Sequence, residues 1–586
     1  MRRTTVERKA PKTSYSRWLI TLTVILSIAG PLVGAADRVG DEPSFDVILF
    51  GGRVLDGSGN PWFRADVGIR GDRIVAIGRL DDLPAKRVID VRGKIIVPGF
   101  IDLHSHADGP GGRRRGLRSE DVHRRAAPNL VSQGITTVVV NQDGRSPWPI
   151  AEQRAELERK GTGPNVILLV GHGTVRRRVM GDDFRRPATP DEIEKMRRLV
   201  RQGMEEGAYG LSAGLEYVPG RWSTTEELVA LVDVIAPFGG VFISHQRSEG
   251  ADPMWYWPSQ HQMRPPTLLD AVRETIEIGQ RTGVPVVASH IKAKGAHYWG
   301  SSRAAIRLIA EARAQGIEIW ADQYPYTTTG SDGNTVLIPR WAFGQAMTRP
   351  AAQPSSPPPD YAALLDEVLA NPWQAEKLKR DIAHEIARRG GPEHIVVFEY
   401  PDHQFIGKTL AELAAARHVS AVEMALILQR EGFRHRPGGA RLRGFSLWEG
   451  DVEAYAAQPW TATATDGGVA LPEDGPVHAR FYGTFPRKIR RYALEKRVIS
   501  IEHAIRSATS LPAQILRLWE RGLVRQGFYA DLVVLDVARV RDRATFFQPH
   551  RYAEGIDYVF INGRPVVDRG RLTWALPGKV LTPHRR

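Results

Sequence analysis

Along the middle of the chain, apolar and polar positions alternate in blocks. An apolar run of about five to eight residues leads into a polar loop, and the loop into a stretch whose apolar residues recur at helical spacing. The runs are IIVPGFIDL (95–103), ITTVVV (135–140), NVILLV (165–170), AYGLSA (208–213), GVFIS (240–244), VPVVAS (284–289), IEIWA (317–321) and WTATAT (460–465). Unbroken apolar runs fit strands buried on both faces, the condition of parallel strands covered by helices. TPDEIEKMRRLVRQGMEEG, with Thr189 as a candidate N-cap, and SRAAIRLIAEARAQG supply the helical partners. Eight such units predict a (β/α)8 TIM-like barrel.

Two departures from the repeat define further parts. FDVILFGGRVLDGSG and ADVGIRGDRIVAIG near the start, and ADLVVLD and IDYVFINGRPVVDRGRLTW near the end, alternate apolar and polar residues between glycine-rich turns. That pattern predicts short antiparallel strands, and its presence at both ends predicts one small β-sandwich domain assembled from 45–98 and 522–580. The barrel then spans 99–500. Between its seventh and eighth strands lies a subdomain inserted at about 341–458, with Pro-rich RPAAQPSSPPPD (349–360) and helical KTLAELAAARHVSAVEMALILQREG (408–432).

Composition narrows the chemistry. The 586 residues, 42% hydrophobic and 25% charged, suffice for more than one core. Net charge is +14, but residues 1–36 hold Arg2, Arg3, Arg8, Lys9, Lys12 and Arg17 against the single acid Glu7. With the apolar stretch WLITLTVILSIAGPLVG (18–34) and small residues Gly34 to Ala36, this leader reads as a cleavable signal for a periplasmic or secreted protein. An uncleaved anchor is the alternative, so any membrane contact is through the export signal alone. The short basic runs RRRGLR (113–118) and VRRR (175–178) accompany no nucleic-acid motif, so no nucleic-acid partner is expected. Cysteine is absent, which removes disulfides, thiolate ligands and a Cys nucleophile; any metal must be held by His and carboxylates.

Barrels of this type carry their chemistry at the C-terminal ends of the strands. The first strand ends in His104-Ser105-His106, whose i, i+2 spacing puts both imidazoles on one side. The fifth and sixth end in His245 and His290, the eighth in Asp466, and the second just before Asp143. Four histidines and two carboxylates at one face predict a centre for one or two divalent ions, Zn²⁺ suiting the donor set. Asp143 is the candidate oxygen ligand and Asp466 the candidate proton carrier beside metal-activated water.

These strand ends, together with GKIIVPGFIDLHSHAD, GLSAGLEYVPG, SHIKAKG, DQYPYTTTGS and FYGTFPR, resemble the metal-dependent amidohydrolase superfamily and, within it, the D-aminoacylases or N-acyl-D-amino-acid deacylases. The resemblance implies that His104, His106, His245 and His290 bind metal and that Asp466 is the general acid/base. It further implies that Lys292 and Arg480 hold the carboxylate of a small-molecule substrate, with Tyr217 and Ser331 as further substrate contacts. A planar guanidinium at 480 suits bidentate carboxylate binding. Two positions depart from the family: NQDG (141–144) stands where the deacylases carry a GNCG-like turn with a metal-binding Cys, and VHAR precedes FYGTFPR where HPR is usual. The expected activity is hydrolysis of a linear amide. Alternatives are a cyclic-amide hydrolase of the hydantoinase or dihydroorotase kind, a dipeptidase of the same superfamily, and a catalytically silent barrel used for binding.

Overall fold

The computed structural model describes residues 44–109, 116–347 and 358–583. The leader, the first part of the RRRGLR run and most of the Pro-rich stretch lie outside the described residues. Among those described, no helix is long and apolar enough to cross a membrane.

The apolar runs form the expected parallel barrel. Phe100–Asp102, Ile135–Val140 and Asn165–Leu168 pair in that order, and Val170–Gly171 continues the third strand into a six-stranded sheet. That sheet proceeds through Gly210–Gly214, Val241–His245, Val286–Ala288 and Ile319–Gln323 to Thr461–Thr463. Closure of the eighth strand onto the first occurs just beyond their ends: Ser105 bridges Gly467 in parallel, Asp466 N donates to His104 O (2.9 Å), and His106 N donates to Gly467 O (2.8 Å). Asp102 of the first strand accepts bonds from Thr465 N (2.7 Å) and Thr465 Oγ1 (2.5 Å). Ring closure therefore depends on the residues beside the site.

The first run divides where the sequence reads as one strand. Ile95–Pro98 belongs to the terminal β domain and Phe100–Asp102 to the barrel. Gly99 is the joint: its N–H donates to Asp531 O (2.7 Å), and a Cβ there would lie 2.2 Å from Thr136 Oγ1, so only glycine lets the chain pass this close.

Both chain ends build the β domain, a nine-stranded sheet in which Leu532–Leu535 pairs antiparallel with Ile95–Pro98. The long strand Phe45–Val54 shifts register between Leu49 and Gly52. Its first half pairs with Ala85–Asp90 and its second with Ile95–Pro98. Arg73 bridges Tyr529 and Ala530 N donates to Asp72 O (2.8 Å), so the edge strand Arg73–Gly78 returns to the carboxyl-terminal segment. Inside lie Leu49, Val67, Ile69, Ile96, Leu532, Val534 and Phe560, all buried.

Between the seventh and eighth barrel strands, a second hydrophobic cluster joins Leu337, Phe343, Leu365, Leu378, Ile382, Val397, Leu428 and Leu442. The 408–432 stretch is two helices, Leu410–Ala416 and Ala421–Glu431. Each starts with a capping box, Thr409 with Glu412 and Ser420 with Glu423, and His418 takes a left-handed φ of 55° between them. The paired Ser/Thr-x-x-Glu spacing is the signal that outweighs the continuous apolar periodicity.

Candidate metal centre and active site

The barrel brings His104, His106, Asp143, His245, His290 and Asp466 to one place. Donor atoms within 4.8 Å of one another form four groups: His104 with His106 and Asp143; Asp143 with His245 and His290; His104 with His290 and Asp466; and Glu216 with His245 and Glu249. Asp143 belongs to two of these. Its Oδ1 lies 3.5 Å from His104 Nε2, 3.8 Å from His245 Nδ1 and 3.7 Å from His290 Nε2, while Oδ2 lies 3.5 Å from His106 Nε2. Oδ1 therefore faces three of the imidazoles and Oδ2 the fourth, so this one carboxylate can serve as a ligand alongside all of them.

Outer partners decide which imidazole nitrogen faces inward. Ser289 Oγ donates to Asp322 Oδ2 (2.7 Å), and its one hydrogen is thereby used. The oxygen must therefore accept from His104 Nδ1 (2.6 Å), which leaves the His104 Nε2 lone pair aimed at the cluster. His245 Nε2 donates to Glu216 Oε2 (3.0 Å), leaving Nδ1 inward, and Glu216 Oε1 is held by Met254 N (2.6 Å). His290 turns Nδ1 to Lys292 Nζ (2.7 Å) and Glu249 Oε1 (3.2 Å), and its Nε2 faces inward, 3.0 Å from His245 Nδ1 and 3.7 Å from Asp143 Oδ1. Carboxylate-backed imidazoles of this kind are how proteins orient metal ligands and raise their basicity.

The residues fit a cation. His104 Nε2 and Asp143 Oδ1 are buried with no hydrogen-bond partner among the described residues, a costly state for polar atoms that ligation relieves. Three of the six residues sit at left-handed backbone: Asp143 at φ 57°, His290 at 37° and Asp466 at 47°. Such strain is held at sites where the surroundings over-determine the geometry. Burial works to raise the Asp143 carboxyl, but the surrounding imidazoles of His290, His104, His106 and His245 hold it well below the usual carboxylate range. For Asp466, burial is likewise outweighed by Arg480, His290 and His106, so it too is ionised at neutral pH.

Asp466 stands between the histidines and Arg480. Oδ1 is 3.1 Å from His106 Nε2 and 3.7 Å from His104 Nε2; Oδ2 is 2.9 Å from Arg480 Nη1. That last contact is close but off the hydrogen-bonding line, and Arg480 Nε and Nη1 are buried with no hydrogen-bond partner among the described residues. The guanidinium lies over the Tyr324 ring (4.6 Å to the centroid), and Gly330 makes room for it, since a Cβ there would meet Nη2 at 2.7 Å. The Tyr217 ring packs against His245, tilted by 40° with ring centroids 4.3 Å apart. Lys292 is buried in an ion pair with Glu249. Ser331 stands off the cluster, its Oγ accepting from Lys294 Nζ (3.0 Å) and paired with Thr329 Oγ1 (3.0 Å).

Reading strand ends overlooks Glu216, Glu249, Ser289 and Asp322. Asp322 obeys the rule already applied elsewhere, a carboxylate in the seventh strand Ile319–Gln323. Glu216 follows the fourth strand Gly210–Gly214 by two residues and Glu249 follows His245 by four; neither spacing singles out its partner. Glu216→Gln is expected to lower metal affinity about 10- to 100-fold, the range typical of a lost outer partner. Competition with a chromophoric chelator measures it, and wild-type affinity would return Glu216 to a packing role.

An open cavity of about 230 Å³ reaches the centre, lined by His106, Asp108, Gly109, Asn141, Gln142, Asp143, Arg145 and Tyr217. With His106 and Asp143 on its lining and the Asp466–Arg480 pair beside His106, the arrangement can bind an anionic small molecule and expose one of its carbonyls to a cation.

Known proteins are similar to this chain. The sequence profile of the Amidohydrolase family matches residues 87–234 and 378–567. The D-aminoacylase of Alcaligenes xylosoxydans xylosoxydans is 34% identical over 564 residues, 92% of this chain and 98% of that protein. A solved D-aminoacylase with a binuclear metal centre, for which one-metal activation and second-metal attenuation are described, is 32% identical with a TM-score of 0.67, covering 92% of this chain and 100% of that chain. The N-acyl-D-glutamate deacylase of Bordetella bronchiseptica, solved with zinc and a phosphonate mimic of the tetrahedral intermediate, is 31% identical with a TM-score of 0.67, covering 92% and 99%.

Proposed function

Because the chain belongs to the amidohydrolase family and is a metal-dependent amide hydrolase, we propose that it deacylates N-acyl-D-amino acids, releasing a carboxylic acid and a free amino acid. The observation that carries this reading is the placement of Asp466, with His106 Nε2 at 3.1 Å on one oxygen and the Arg480 guanidinium, ion-paired but making no hydrogen bond through Nε or Nη1 among the described residues, at 2.9 Å on the other. A carboxylate bound at Arg480 sets the neighbouring amide beside both the proton carrier and the ligand cluster.

His104, His106, Asp143, His245 and His290 would hold one or two divalent ions, Zn²⁺ being the ion found in the Bordetella relative. Such an ion, when bound, polarises a carbonyl as a Lewis acid and acidifies water. Asp466, ionised and close to that position, takes a proton from the attacking water and delivers it to the leaving nitrogen, because an amine leaves only once protonated. Arg480 fixes the substrate carboxylate through guanidinium donors that make no hydrogen bond among the described residues, and the Tyr324 face below holds the guanidinium in plane. Tyr217, packed against His245, forms part of the cavity wall. Lys292 acts through Glu249 and His290, steadying the ligand more directly than it meets substrate. The basic, apolar leader supports an exported enzyme.

The test is hydrolysis of paired N-acetyl-D- and N-acetyl-L-amino acids by purified, zinc-loaded protein, with hydantoin and dihydroorotate as cyclic controls. Release of free D-amino acid is expected. Preference for the L series or the cyclic amides, or inactivity of protein shown to hold metal, overturns the reading.

A further inference from the structure

The turn that carries Asp143 continues into Arg145, a residue the mechanism above does not use. Its backbone is fixed from both sides. Gly144 N donates to Ser212 Oγ (3.2 Å) and Gly144 O accepts from Thr174 N (3.0 Å). Ser146 N donates to Thr174 Oγ1 (2.9 Å), while Ser146 Oγ accepts from Gly171 N (3.1 Å). The packing is tight enough that a Cβ on Gly144 would lie 2.9 Å from Gly214 N, and one on Gly171 2.7 Å from Gly144 O. Arg145 N itself closes the turn onto Gln142 O (3.1 Å).

This rigid turn presents an uncommitted cation. The Arg145 guanidinium lies over Tyr217 at 5.7 Å from the ring centroid, lines the cavity that opens onto His106 and Asp143, and has no ion-pair or hydrogen-bond partner among the described residues. The other acids of that wall are engaged. Asp108 accepts from Arg118 Nε (2.9 Å) and Gln153 Nε2 (2.5 Å), and Asp143 faces the four histidines. The cavity therefore has one guanidinium at its wall, separate from Arg480, and no carboxylate set against it.

We propose that Arg145 is a specificity-determining residue that selects substrates carrying a second anionic group, in addition to the carboxylate held by Arg480. The inference rests on the deacylase reading of the same site. A fork of N–H donors anchored on a fixed turn favours a carboxylate over a neutral substituent of similar size. That carboxylate belongs either to the amino-acid side chain or to the acyl group, since both flank the scissile amide.

Three substrates separate these sources: N-acetyl-D-glutamate, N-succinyl-D-leucine and N-acetyl-D-leucine, compared by kcat/KM in zinc-loaded wild type and in Arg145→Gln. The wild type is expected to favour one of the two dianionic substrates over N-acetyl-D-leucine, and Arg145→Gln to reduce that ratio about 10-fold, the low end for a charge-assisted contact because the residue is exposed. Arg145→Lys should recover part of it, and added salt should compress it in wild type only. N-acetyl-D-glutamate as the favoured substrate places the second anion in the side chain; N-succinyl-D-leucine places it in the acyl group. Turnover of N-acetyl-D-leucine with equal or greater efficiency, or a ratio unmoved by Arg145→Gln, overturns this inference while leaving the deacylase reading intact. Inactivity on all three with metal bound overturns both.

Discussion

Asp466→Asn is expected to retain its metal and to lower kcat by about 10²- to 10⁴-fold, the span a positioned proton carrier contributes. Asparagine matches the size of aspartate and can keep the contacts made by Oδ1 and Oδ2, but an amide cannot accept the proton of the attacking water. Two further signs separate loss of proton transfer from damage to the site. The variant removes the negative charge 2.9 Å from Arg480 Nη1, so the guanidinium faces the substrate carboxylate without a competing anion and KM should stay level or fall. Metal content, read by atomic emission after gel filtration, should match wild type, because the four histidines and Asp143 remain. Near-normal kcat would remove Asp466 from proton transfer, and loss of metal together with activity would make it a ligand.

Asp143→Ala is expected to have the second large effect, on metal occupancy before activity. Asp143 supplies the only carboxylate shared by two of the candidate ligand groups among the described residues, and its Oδ1 is left without a hydrogen-bond partner there. Deleting it leaves imidazole nitrogens alone to offset a doubly charged ion. Affinity should fall by about two orders of magnitude or more, with activity recovered only at high zinc. Asp143→Cys is the informative companion: a thiolate is softer and favours zinc, so this variant should bind zinc at least as well as wild type if position 143 is a ligand. Unchanged metal content in Asp143→Ala, or a cysteine variant as weak as the alanine one, would leave Asp143 as a turn residue held at left-handed φ for backbone reasons alone.

The overlooked residues share a physical cause. Glu216 and His245 are 29 residues apart in sequence, Ser289 and Asp322 33 apart; each pair meets because neighbouring strands of a closed barrel bring their ends side by side. No local rule encodes that meeting. The same holds for Lys292, whose sequence position after a strand resembles that of a substrate-binding cation but whose ammonium is taken by Glu249. Ser331, similarly, is engaged by Lys294 rather than turned to the cluster. Arg145, next but one to Asp143, was hidden for the opposite reason: in a chain with 80 Lys and Arg, a loop arginine has no local mark, and its lack of a partner exists only once the loops are folded.

By itself, the sequence determined the architecture and the inventory of reactive groups. Eight apolar runs can be buried only as parallel strands under helices, and His or Asp at their ends must then collect at one rim, because strand direction fixes which end is which. Tertiary structure alone decided how those groups act: which nitrogen of each histidine faces inward, which carboxylate lies between two ligand sets, and which cations are already neutralised. These are properties of distances of about 3 to 4 Å between residues far apart in the chain, where a hydrogen bond or an ion pair is either made or absent. The turn NQDGR shows the division. Its aspartate was readable as a candidate ligand from the strand it follows, whereas its arginine became a candidate substrate contact only when the folded barrel left it facing a cavity without a counter-charge.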